Sequence, residues 1–121
     1  MPITLDTTNG FVPTTQLASG KKGLKRPKGA TSNATLNGSG LTNGLTVTVL
    51  APPQSHNPHL KWTGTTANSN SSSTQCTVEL TEQQPNKRPP RPMDDPTTVS
   101  VTANDGSTTS NTIEPTIQVG T

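Results

Sequence analysis

Residues 45–51 read Leu45-Thr46-Val47-Thr48-Val49-Leu50-Ala51, a stretch in which apolar and hydroxyl-bearing side chains alternate with a period of two. Successive side chains of an extended chain point to opposite faces, so this stretch predicts a strand with one buried and one wet face. Threonine and valine also suit a pleated, half-exposed surface. Pro52 and Pro53 follow directly and predict the end of the strand, because proline cannot continue a hydrogen-bonded ladder.

Four further stretches of the second half repeat this alternation. They are Leu60–Thr63, Cys76–Thr81, Thr97–Ala103 and Asn111–Gly120. Asn104-Asp105-Gly106 between the last two predicts a tight turn. Residues 65–74 and the proline-rich residues 85–96 have the composition of loops. The sequence therefore predicts an all-β fold, a small antiparallel β-sandwich over residues 41–121.

Residues 1–40 differ in character from the rest. Residues 31–44 are almost wholly Ser, Thr, Asn and Gly, and residues 6–30 hold only isolated apolar side chains. This composition predicts that residues 1–40 form an extended N-terminal arm and tether outside the sandwich. An alternative stays open for Ile3–Leu5, which could supply the first strand of the sandwich and fold the N terminus back onto it.

The arm carries the one charge feature above background. The net charge is only +2, but five cationic side chains crowd into eight residues: Lys21, Lys22, Lys25, Arg26 and Lys28. Such a run is compatible with contact to an acidic protein surface, with nucleic acid, or with a solvated linker. Nucleic acid ranks last because one Phe, one Trp and no Tyr leave little for base stacking. Phe11, isolated on the arm, is predicted to be an exposed anchor for a partner's pocket.

No set of residues predicts catalysis, a metal or a cofactor. Cys76 alternates in phase with its apolar neighbours and Trp62 in phase with Leu60, so a buried thiol and a core indole are favoured over a nucleophile and a sugar platform. His56 and His59 lack a third ligand nearby. Asp105 suits a turn better than a calcium loop. We therefore expect neither an enzyme nor a metalloprotein.

The composition bounds stability and location. Hydrophobic residues make up 25% of the chain, about a dozen of them are predicted to face inward, and a single cysteine forms no internal disulfide. This thin core predicts stabilisation by a neighbour, as a homo-oligomer or in a larger assembly. The apolar runs are too short for a transmembrane helix, and the sequence opens without the pattern of a secretion signal.

Three segments carry a family resemblance. They are Leu45-Thr-Val-Thr-Val-Leu-Ala-Pro, Leu60-Lys-Trp-Thr-Gly-Thr-Thr and Val99-Ser-Val-Thr-Ala-Asn-Asp-Gly, the last followed by the strand to Val119. Together they resemble the group-2 bacterial immunoglobulin-like domain, which occurs in bacterial surface proteins and in structural proteins of tailed phages. The resemblance covers about the last two thirds of the chain. It departs from the family in an unclear first strand and in the proline-rich insertion.

The resemblance implies a structural virion protein, a decoration (cement) protein on the capsid surface of a tailed phage. Its expected partner is the major capsid protein, which the N-terminal arm would grip, and a trimer is the expected oligomer. The alternative is an immunoglobulin-like module that binds glycans or a host surface. A third hypothesis is a nucleic-acid-binding protein that uses the basic arm. All three depend partly on analogy at the level of the fold.

Overall fold

The computed structural model describes residues 2–18, 31–52, 60–68, 72–83 and 96–120. Every regular element within these ranges is a β-strand, which confirms the predicted all-β class. The strands are β1 (Thr4–Leu5), β2 (Phe11–Pro13), β3 (Leu17–Ala18), β4 (Thr31–Ser39), β5 (Thr46–Leu50), β6 (Lys61–Ala67), β7 (Gln75–Gln83), β8 (Thr97–Thr98), β9 (Ser100–Asn104), β10 (Thr116–Ile117) and β11 (Val119–Gly120).

The five longest strands form a continuous antiparallel wall in the order β4-β7-β6-β5-β9. Its register places the apolar residues of neighbouring strands opposite one another. Leu36 lies opposite Cys76, and Val49 lies between Trp62 and Val101. The short strands β1 and β2 follow one another along the outer edge of β4. The strands predicted around 45–51, 60–63, 76–81 and 97–103 are therefore confirmed, and β6 extends beyond its predicted end to Ala67.

The wall closes into a ring through the two ends of the chain. Val101 bridges to Ile113, β8 pairs with β10, and β11 then pairs with β3. The ring has seven positions, namely residues 4–18, β4, β7, β6, β5, β8–β9 and residues 113–120. A ring whose neighbours are all antiparallel needs an even number of members. Seven members force one parallel junction, and β3–β11 is that junction. We call the junction between residues 4–18 and 111–120 the seam.

The core of this sandwich is larger than the composition suggests. Among the described residues, twenty-one apolar side chains are buried, and Trp62 is fully enclosed as predicted. Six of them come from residues 1–40: Ile3, Leu5, Phe11, Leu17, Ala34 and Leu36. The predicted dozen omitted these six, so the expectation of a thin core is wrong.

The sandwich does not begin at residue 41. The nine-residue strand β4 lies inside the sheet, between β1–β2 on one edge and β7 on the other. Its inward positions Ser32, Ala34 and Leu36 are buried while Thr31 and Asn33 are exposed. Strand β4 is held by ladder hydrogen bonds on both edges, although most of its side chains are small. Its composition resembles that of a linker, and the prediction of an arm is wrong for this reason. The open alternative for Ile3–Leu5 is confirmed, since Thr4 pairs with Ser39.

Candidate functional site

Phe11 is not an exposed anchor in this structure. It lies in β2 opposite Leu36 and is 5% exposed, whereas the adjacent Val12 is 42% exposed. Neighbouring residues of a strand face opposite ways, so burial of the phenyl ring turns Val12 outward. Sequence reasoning missed Val12, although an adjacent pair of apolar residues in an extended segment already implies one outward side chain.

The basic run Lys21–Lys28 lies outside the described residues. Its flanks are nevertheless fixed, because β3 ends at Ala18 and β4 begins at Thr31. The run therefore belongs to an internal connection that is attached to the sandwich on both sides. It is not part of a free N-terminal arm.

The strand pairings place the two longest connections, 19–30 and 84–95, at one end of the sandwich, which we call the connection end. Lys61 lies opposite both Leu50 and Gln83, and Thr31 lies opposite Thr81, so the ends of four strands meet there. Thr97 opposite Ile117 continues the same end around the ring. The connections 19–30, 53–59 and 84–95 all leave the described strands at this end.

The other end, the turn end, holds connections of five to eight residues. They are 6–10, 40–45, 68–74 and 105–112. Asp105 accepts the backbone N–H groups of Ser107 and Thr108 at 2.8 and 2.6 Å, and Gly106 takes a positive φ of 96°. These hydrogen bonds lower the pKa of the Asp105 carboxyl below its ordinary value. The turn predicted from Asn104-Asp105-Gly106 is therefore confirmed.

Charge is divided between the sandwich and its connections. The described residues hold one cation, Lys61, against five carboxylates, which is a net charge of −4. The segments 19–30 and 84–95 hold the other eight Lys and Arg residues and two carboxylates, a net charge of +6. All nine cations thus lie at the connection end or in segments that leave from it.

A groove of about 390 Å³ runs along the seam, which we call the seam groove. One wall is Phe11–Gln16 and the other is Thr116–Gln118. The buried side chains of Phe11 and Ile117 lie at its base, while Val12 and Thr116 are exposed at its rim. No lining side chain is charged.

Both ends of the seam groove are closed. At the turn end the side chain of Asn111 accepts the Leu5 N–H at 2.7 Å and donates to the Leu5 carbonyl oxygen at 3.0 Å. A side-chain amide thus replaces the two hydrogen bonds of a strand pair. Next to it, a Cβ on Gly10 would lie 2.9 Å from Ile113 Cδ1 and 2.2 Å from the Asp6 carbonyl oxygen, so the close approach requires glycine. The β3–β11 pair closes the opposite end.

The thiol of Cys76 lies in the core of the sandwich. Burial raises the pKa of the Cys76 thiol to about 11, so the sulfur stays protonated and acts as a small core side chain. No group of three His, Cys, Asp or Glu residues suited to a metal ion occurs within the described ranges. His56 and His59 lie outside them.

Comparison of the chain with protein-family models, curated proteins and solved structures found no match. The resemblance to the group-2 immunoglobulin-like domain therefore stays a prediction from sequence. Within the part of the chain that the structure describes, no helix is long and apolar enough to cross a membrane.

Proposed function

We propose that this chain is a capsid decoration (cement) protein of a tailed phage, which binds the major capsid protein and stabilises the head shell. The observation that carries the proposal is the difference between the two ends of the sandwich. The two longest connections leave at one end together with most of the positive charge, while connections of five to eight residues close the other. A domain of this kind suits attachment by one end, with the turn end directed away from the shell.

In this mechanism the connection end meets acidic patches on neighbouring capsid subunits. Each cation contributes little, because exposed ion pairs in water are weak and are screened by salt. Repetition over the shell turns weak single contacts into useful stabilisation, since a connection that touches two subunits converts the second contact into an intramolecular one. The trimer stays a prediction. A thin core no longer argues for it, because twenty-one apolar side chains are buried among the described residues.

The burial of the aromatic side chains favours this function over the alternatives. The chain has one Phe, one Trp and no Tyr, and both aromatic residues are at most 5% exposed. A glycan-binding module and a single-strand nucleic-acid binder both depend on exposed rings for stacking. The glycan or host-surface module remains the second candidate, because the seam groove offers threonine hydroxyls and glutamine amides to a neutral ligand.

The direct test is co-sedimentation of the purified protein with bare capsid shells at several salt concentrations. We expect saturable binding that weakens as salt rises. Replacing Lys21, Lys22, Lys25, Arg26 and Lys28 with glutamine should weaken it strongly at low salt and less at high salt.

The matched control replaces Glu79 and Glu114 with glutamine. Both carboxylates are exposed; Glu79 lies in the middle of β7, and Glu114 directly follows the bridge residue Ile113. If only net charge mattered, this control would strengthen binding. If the connection end is the docking end, binding should hardly change. Absence of binding at low salt would overturn the proposal and favour the glycan or host-surface module.

A further inference from the structure

We propose that the seam groove accepts one extended, uncharged segment of the partner protein as an eighth strand, antiparallel to both β2 and β10. The identity of that partner, the major capsid protein, rests on the proposed function. The groove itself is defined by described residues alone.

The direction of the two walls selects the orientation of the added strand. Following the antiparallel pairings around the ring from β2 through β4, β7, β6, β5 and β9 to Ile113 shows that β2 and β10 run parallel to each other. Neither pairs with the other: β2 pairs with β4, and β10 pairs with β8. One strand of opposite direction between them makes a ring of eight in which these neighbours are antiparallel, the slightly more stable pairing.

The backbone groups of both walls are oriented for such a strand. The carbonyl oxygen of Gly10 accepts the Asn37 N–H at 3.1 Å, and the Thr14 N–H donates to the carbonyl oxygen of Asn33 at 2.8 Å. The alternation of an antiparallel ladder then directs the N–H and C=O of Phe11 away from β4. Likewise the Val99 N–H donates to the carbonyl oxygen of Pro115 at 3.1 Å. Thr116, the next residue and the partner of Thr98, therefore directs its N–H and C=O away from β8. Both walls therefore present main-chain donors and acceptors to the groove.

The size and chemistry of the groove specify the occupant. An extended residue fills about 160 Å³ at the usual strand rise, strand spacing and sheet spacing. The groove of about 390 Å³ therefore takes two to three residues, which matches the lengths of β10 and β2. Pro13 has no N–H and limits the ladder along β2. An apolar base and a neutral rim fit a segment that alternates small apolar and hydroxyl-bearing side chains, whereas a charged segment would lose hydration without gaining an ion pair.

The first test uses the full-length protein and the peptide acetyl-Thr-Val-Thr-Val-Thr-amide, observed by NMR of the backbone amides. We expect shifts confined to residues 11–16 and 116–118, and slower hydrogen exchange at the Phe11 and Thr116 amides. The peptide acetyl-Thr-Lys-Thr-Lys-Thr-amide should bind at least about tenfold more weakly.

Two matched variants locate the site. Val12 and Leu50 are exposed apolar strand residues, 42% and 45% accessible, and only Val12 lines the groove. Val12→Lys should weaken binding of the uncharged peptide about tenfold, and Leu50→Lys should leave it within about twofold. Thr14→Lys, at another exposed position of the same wall, serves if Val12→Lys does not fold. Equal binding by the Val12 and Leu50 variants, or no shift at millimolar peptide, would overturn the proposal.

The second test measures hydrogen exchange of the protein bound to bare capsid shells. Protection at Phe11 and Thr116 supports strand addition by the capsid protein. Shell binding without this protection overturns the acceptor site and leaves the decoration function intact. Peptide binding without shell binding overturns the decoration function and leaves the acceptor site intact. Protection in the free protein that grows with its concentration would make a second copy the occupant and would also overturn the proposal.

Discussion

The wall β4-β7-β6-β5-β9 and the seam close the same ring by different means. The wall has long antiparallel ladders, with seven residue pairs between β4 and β7 alone. The seam has the side chain of Asn111 at one end and a two-residue parallel pair at the other. The comparison teaches that an odd number of strands leaves one junction where ladders cannot match. In this protein that junction is also the site of the groove.

Deletion of residues 1–40 should have the largest effect, because it removes a member of the wall as well as one side of the seam. Loss of β4 would leave an edge of β7 unpaired and expose the core, so we expect no cooperative unfolding transition by circular dichroism. As a control, a Gly/Ser sequence of equal length in place of residues 21–28 should preserve the transition. A folded 41–121 fragment would show that the wall does not need β4.

Trp62→Ala probes the centre of the wall. The indole is fully buried, and its removal should lower the free energy of unfolding by about 3–5 kcal/mol, measured by denaturant titration. The Cys76 thiol, 3% exposed, should react with a thiol reagent at a rate that rises in parallel. Lys61→Ala, at the half-exposed neighbouring position, should cost far less. A stable Trp62→Ala protein would contradict the register of β6.

Asn111→Ala probes the seam. It removes both side-chain hydrogen bonds to Leu5 and leaves the main-chain groups of a buried residue without these partners. We expect a loss of about 1–3 kcal/mol and faster hydrogen exchange at the Leu5 amide. Asn9→Ala, in the exposed β1–β2 turn, is the control. Unchanged exchange at Leu5 would mean that the seam is closed by other contacts.

Asp105 should give the smallest effect, a dependence of stability on pH. Its pKa is lower in the folded state than the ordinary 3.8, because Thr108 and Ser107 donate to the ionised carboxylate. The stabilisation is therefore present above about pH 4 and is lost as pH falls through the lowered value. Melting temperatures of the protein and of Asp105→Asn should converge in acid. A gap that widens below pH 4 would contradict this assignment.

Sequence alone predicted the wall better than the seam. The alternation of β5 and the burial of Trp62 can be predicted because large apolar side chains mark the inward positions. Cys76 is placed in the core by the same pattern. Strand β4 was missed because Ser32 and Ala34 are buried by their neighbours in the ladder, a property that composition does not carry. Sequence alone places Phe11 at the surface, because nothing in the composition reveals its partner Leu36 in β4.

The candidate site could be predicted only in part. The basic run is visible in the sequence, but its attachment at the connection end depends on the pairing of Thr31 with Thr81. The seam groove could not be predicted at all, since its walls come from residues 11–16 and 116–118, and only the closed ring brings them together.

The long sequence separation across the seam also has a consequence for the order of folding. Leu5 and Asn111 are 106 positions apart, whereas the turn at Asp105–Thr108 closes over a few residues. Loop closure over a longer chain costs more entropy, and contacts of this kind are expected to form late. Hairpins such as β6–β7 should then assemble first, with the two ends of the chain meeting last. In native-state exchange the seam should accordingly open before the wall, as a separate cooperative unit of low stability.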